Sequence, residues 1–156
     1  MNITIIGIGQ SLRGDDAVGL TAVQLWQDTH PATAKKVRVE LVENPGIGLL
    51  NLLEDADAAI LVDAVYSGSL PGIIHSLKEK DLADFLDGAD SAHGWGVAET
   101  LALGRQLDTE NMPDQIVIIG IEIGQIEFGE GLSSTVLDVI PDAVHTIQNT
   151  LLKLME

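Results

Sequence analysis

Two adjacent carboxylates, Asp15 and Asp16, close a glycine-studded stretch near the start of the chain, and a third, Asp63, follows a run of purely apolar residues. A histidine, His93, stands among small residues between Asp87 and Gly96. Carboxylate and imidazole ligands together suit divalent cations of intermediate hardness such as zinc, nickel or manganese, and three protein ligands leave positions open for water or substrate. A carboxylate in such a set can also accept the proton of an attacking water. The covalent routes lack a candidate, because the chain has no cysteine and no serine–histidine arrangement at a strand-to-helix elbow.

Each of these residues also has a purely structural use. An Asp at a helix start accepts backbone N–H bonds and favours the positive end of the dipole, which one carboxylate accomplishes and which leaves the second to point into a crevice. Asp63 can cap the turn through Ala64 to Gly68. His93 precedes a helical pattern, where a charged imidazole opposes the dipole, so the fold makes no demand for it. Taken residue by residue, the structural and chemical readings both stand.

The elements that must position these side chains follow from the hydrophobic pattern. Ile3, Ile5 and Ile6 read as a short strand buried on both faces, and Gly7 and Gly9 permit a sharp turn into a helix running from Asp16 to about Gln27. A dinucleotide fingerprint would need a glycine where Leu12 stands, and two carboxylates at the helix start would repel a pyrophosphate. Val37 to Val42 is a second strand, Ile47 to Leu53 a short helix, and Ala58 to Val62 a third strand that terminates at Asp63. A βαβαβ order makes these strands parallel and brings Asp15, Asp16 and Asp63 to one edge of the sheet.

Further on, Ile73 to Leu77 reads as an edge strand in which His75 has no assigned role. Residues 79–90 form a solvated amphipathic helix, and a further helix runs from about Val97 to Leu107. Gln115 to Gly120 is a buried strand that continues to Glu122 at a solvated end. From Ser133 a long helix follows, with Pro141 as a kink or restart and His145 exposed. Trp95 and Phe85 are candidates for partner contacts or, equally, for buried side chains. The expected architecture is a single three-layer α/β domain over residues 1–156: a mostly parallel twisted sheet of about five strands with helices on both faces.

Composition narrows the partners. Twenty-four acidic against eight basic residues give a formal charge of −16, which repels nucleic acid and anionic membrane surfaces. The N-terminus shows no secretory signal and no apolar run approaches a membrane span, so a soluble, cytoplasmic protein is expected.

Taken together, Gly-Ile-Gly-Gln-Ser-Leu-Arg-Gly-Asp-Asp-Ala-Val-Gly at 7–19, Ile-Leu-Val-Asp-Ala-Val at 60–65, Pro-Gly at 71–72, Ser-Ala-His at 91–93 and Gly-Leu-Ser at 131–133 resemble the hydrogenase maturation endopeptidases. The order and spacing match over almost the whole chain. The resemblance implies a protease that removes a C-terminal extension from the large-subunit precursor of a nickel-iron hydrogenase once nickel has been inserted. By position, the metal-contacting residues are Asp16, Asp63 and His93, with Asp16 and Asp63 as catalytic carboxylates and the nickel supplied by the precursor.

Two departures from the family pattern bear on substrate choice. Glu43-Asn44-Pro45-Gly46 stands where an Asp-Gly-Gly-Thr-like turn is usual, and Ala17 where glycine is frequent. The segment from Glu43 to Gly46 is expected to line the substrate groove. Competing readings are a non-catalytic nickel chaperone of hydrogenase assembly, a general metallopeptidase, and a nucleotide binder.

Overall fold

The computed structural model describes residues 1–87, 96–124, 129 and 131–156. Its frame is one five-stranded sheet built from β1 (Ile3–Gly9), β2 (Arg38–Glu43), β3 (Ala58–Val65), β4 (Ile74–Lys78) and β5 (Gln115–Glu122), in the order β2-β1-β3-β5-β4. All neighbours are parallel except β4, which runs antiparallel to β5 at the edge. The helices are α1 (Val18–Thr29), α2 (Pro31–Ala34), α3 (Leu49–Leu53), α4 (Leu82–Asp87), α5 (Gly96–Asp108) and α6 (Ser134–Met155). This is the mixed, mostly parallel α/β domain that the patterning anticipates.

Burial explains why the central strands read as unbroken apolar runs. Every residue of β1 and β3 is buried, since helices cover both faces, whereas edge strand β2 shows only partial burial. One face packs Ile5, Ile60, Val62 and Ile119 against α1 and α6, with Trp26 wholly enclosed between them. The indole N–H of Trp26 donates to Gln148 Oε1 at 2.9 Å, so the polar atom of this large core residue is satisfied. The other face packs Ile6, Leu61, Ile116 and Ile118 against α3 and α5 through Leu49, Leu53 and Leu101.

Three sequence expectations are corrected. Asp63 does not terminate its strand: β3 continues to Val65 because β5 pairs with it up to Val65↔Glu122, while the β1 ladder ends at Gly7↔Val62. Asp63 therefore has a strand on one side and, on the other, the gap left where β1 turns away. Glu122 is not solvated but fully buried, because the chain after β3 folds over the end of β5 and Gly72 N–H donates to the Glu122 carbonyl at 2.8 Å. Pro141 neither kinks nor restarts a helix: α6 runs unbroken, with Pro141 on its exposed side where water can reach the carbonyl that loses its donor.

Other expectations stand close to the structure. The first helix begins as a 3-10 turn, Gly14–Ala17, that passes directly into α1. His75 is mostly buried, hydrogen-bonded to Glu122 and packed edge-on against Phe85 at 4.8 Å between ring centroids. His145 is exposed. His93 and Trp95 lie outside the described residues. Among the described residues no helix is long and apolar enough to cross a membrane.

Candidate active site

The strand order places a switch point between β1 and β3. From β1 the chain crosses to β2 on one side, and β3 lies on the other, so a crevice opens at their carboxyl ends, where open α/β sheets bind ligands. Two glycines let the polypeptide close around it. A Cβ on Gly9 would collide with the Asp16 carbonyl oxygen, so only glycine lets the 3-10 turn fold back onto the strand end. A Cβ on Gly19 would collide with the carbonyl oxygens of Ile8 and Val62, so the first turn of α1 rests directly on the backbone of β1 and β3.

This packing separates the two adjacent carboxylates. Asp15 is buried, and its oxygens accept from Ser133 N–H at 2.6 Å and from Ser133 Oγ at 2.7 Å. Asp16 instead enters a cleft of about 310 Å³, which Asp63 also lines. Neither Asp caps its own helix, since no side-chain bond closes the start of the 3-10 turn or of α1. The structural use anticipated for one of them is thus replaced by a long-range bond to the start of α6.

The electrostatics of the cleft are uneven. Burial pushes the Asp16 carboxyl above the ordinary aspartate value, and the neighbouring Arg13 guanidinium pulls against that shift. Asp63 is buried, and its Oδ1 accepts the N–H of Ala64 at 2.8 Å, which fixes the carboxylate plane. A half-protected carboxylate beside a well-anchored one suits a proton acceptor working next to an electrostatic partner.

The walls come from two further places. Asn44, Pro45 and Gly46 line one side, as expected of the segment after β2. Glu43 does not: it turns away to accept from Ser11 N–H at 2.7 Å and Ser11 Oγ at 2.6 Å, bonds that hold its carboxyl below the usual range. The opposite wall is the first turn of α5, with Gly96, Glu99 and Thr100. Glu99 is a cleft carboxylate that sequence reasoning passed over. Its signal was an acidic residue in the first helical turn after the small-residue stretch that carries His93.

Of the residues singled out from sequence, Asp16 and Asp63 are brought together, and His93 is outside the described residues. Among the described residues no three His, Cys, Asp or Glu side chains converge as a metal-holding group.

Comparison with known proteins gives a consistent answer. Residues 32–150 match the model of the family described as hydrogenase maturation protease. That span includes Asp63 and His93 and begins after Asp16. The hydrogenase expression/formation protein HupD of Rhodobacter capsulatus is 28% identical over 144 residues, covering 91% of this chain and 67% of HupD. The hydrogenase 2 maturation protease of Escherichia coli K12 is 25% identical over 150 residues, covering 94% of this chain and 88% of that protein. The chain thus spans about two thirds of the length of HupD and most of the E. coli relative.

Solved structures share the fold over nearly the whole length. The E. coli hydrogenase maturating endopeptidase HybD superposes with a TM-score of 0.82 at 24% identity, covering 98% of this chain and 93% of HybD. The [NiFe] hydrogenase maturation protease HybD from Thermococcus kodakarensis gives 0.77 at 25% identity, covering 97% and 99%. With three quarters of its residues matched by the family model and its sheet shared with these structures, the chain belongs to the hydrogenase maturation protease family.

Proposed function

We propose that this chain is the endopeptidase that removes the C-terminal extension of a nickel-iron hydrogenase large-subunit precursor after nickel has been inserted. The observation that carries the reading is the convergence of Asp16 and Asp63 in one cleft at the β1–β3 switch point of a chain in this family. Nickel arrives with the substrate, and Asp16, Asp63 and His93 are its proposed contacts. Carboxylate and imidazole donors fit that ion, and a precursor without nickel gives the cleft nothing to grip.

In cleavage, the nickel carried by the precursor lends Lewis acidity at the scissile carbonyl. Asp16 receives the proton of the attacking water and returns it to the amine nitrogen as the peptide C–N bond breaks, tasks favoured by a carboxyl whose proton affinity burial has raised. Asp63, held by the Ala64 N–H, offers the precursor's nickel a carboxylate of fixed orientation. The segment Asn44 to Gly46 and the first turn of α5 form the walls that orient the substrate chain, and the departure of the turn after β2 from the usual family pattern points to an unusual cognate precursor rather than an unusual reaction.

The test is intact mass after incubation of the purified protein with nickel-loaded and nickel-free precursor from the same source. Loss of a C-terminal fragment only from the nickel-loaded form is the expected result. An unchanged mass in both, beside an active control, would overturn the protease reading in favour of a nickel-holding chaperone.

A further inference from the structure

Asp16 and Asp63 are held in their cleft by different means. Asp63 lies inside β3, and pairing with β5 at Asp63↔Gly120 fixes its Cα while the pleat fixes its direction. Asp16 belongs to a four-residue 3-10 turn outside every ladder, and the start of that turn has no side-chain cap. A short uncapped turn is a poor support for a group that must hold its position within a fraction of an ångström.

The support comes from the preceding residue. Asp15 accepts both the N–H and the hydroxyl of Ser133, a residue 118 positions later in the chain. Ser133 is itself the N-cap of α6, its Oγ accepting from Val136 N–H at 3.4 Å. The carboxylate of Asp15 thereby sits at the positive end of a 22-residue helix that is packed along α1 and the sheet. A second tie braces the same turn: Gly14 N–H donates to the Gly129 carbonyl at 2.9 Å, and Gly129 N–H to the Leu12 carbonyl at 3.0 Å.

We propose that Asp15 is a positioning residue, whose two-armed bond to Ser133 fixes the Gly14–Ala17 turn on the end of α6 and so keeps the Asp16 side chain in the cleft it shares with Asp63. The role rests on the reading of Asp16 given under Proposed function. It differs from simple capping of α6, which would lower stability without altering where Asp16 points.

The experiment compares Asp15→Asn, Ser133→Ala, Ser133→Thr and the double variant Asp15→Asn/Ser133→Ala. Two quantities are followed: the side-chain rotamers of Asp16 and Asp63 by NMR three-bond couplings, and cleavage of nickel-loaded precursor under conditions where each variant is folded. Wild type and Ser133→Thr, which keeps the hydroxyl, should show one Asp16 rotamer. Ser133→Ala and Asp15→Asn should show an averaged Asp16 beside an unchanged Asp63, with kcat about tenfold lower and KM within about twofold. The double variant should be no slower than the worse single one, because the two residues act as a unit.

A single Asp16 rotamer with unchanged kcat in folded Ser133→Ala and Asp15→Asn would overturn the proposal, as would losses that multiply in the double variant. Should Asp15→Asn fail to fold, Ser133→Ala, which retains the carboxylate, decides alone. If the wild type cleaves no precursor, the protease reading fails, and the Asp16 rotamers in Ser133→Ala still decide the positioning role.

Discussion

Glu122 and Ser67 are joined twice: the wholly buried carboxylate accepts the backbone N–H of Ser67 at 2.8 Å and also its hydroxyl. His75 Nε2 adds a third contact at 3.0 Å. One carboxylate thus fastens the chain between β3 and β4 over the end of β5. Glu122→Ala would leave these partly buried donors without their acceptor and should cost about 2–3 kcal/mol. Glu122→Gln, which keeps an acceptor oxygen, should cost less. Urea unfolding measures both, and equal midpoints for Glu122→Ala and wild type would contradict the assignment.

Asp16→Asn should separate stability from activity. Burial raises the Asp16 carboxyl above its ordinary 3.8, so the folded chain binds that proton more tightly than the unfolded chain does. The stability this contributes is fully present below 3.8 and is lost as the pH climbs through the raised folded value. Above that window the ionised side chain weakens the fold, and an amide does not ionise. The variant should therefore unfold at higher urea than wild type at neutral pH, lose that advantage in acid, and process no precursor.

Gly19→Ala tests the packing under the cleft. The added methyl meets two strand carbonyls, those of Ile8 and Val62, and neither can move without breaking the centre of the sheet. A loss of about 3 kcal/mol is expected, at the upper end of overpacking effects. Thermal unfolding checks it, and a midpoint within about a degree of wild type would show that α1 does not rest on the sheet as described.

Trp26 joins the two helices of one face. Trp26→Phe keeps most of the volume but leaves Gln148 without its donor, a change worth about 1 kcal/mol. Trp26→Ala opens a cavity between α1 and α6 and should cost about 3–5 kcal/mol. The ratio of the two, read from urea midpoints at constant slope, distinguishes packing from hydrogen bonding at this contact.

What the sequence made legible follows from how local each signal is. The strands β1, β3 and β5 announce themselves as apolar runs, and parallel order is enough to bring Asp16 and Asp63 to one edge. The partners of the buried acids are a different matter. Ser133 lies 118 residues from Asp15, and Ser67 lies 55 from Glu122, distances over which no periodicity operates. A carboxylate after five apolar residues reads as a strand end at Asp63, whereas the neighbouring strand continues to pair beyond it. The place of Glu43 in the turn points it to the groove, but Ser11 offers it two donors elsewhere.

The order of elements has a consequence for biogenesis. The sheet is threaded so that β5 inserts between β3 and β4, and α6 then covers β5, β3 and Trp26. As the chain leaves the ribosome, β2, β1 and β3 can pair early under α1, yet this face of the sheet and the indole of Trp26 are only partly covered until α6 emerges. The same late helix carries at its cap the serine that anchors Asp15. A nascent chain arrested before α6 would expose one sticky face of the sheet, so the closing of that face and the anchoring of Asp15 fall in the same final step.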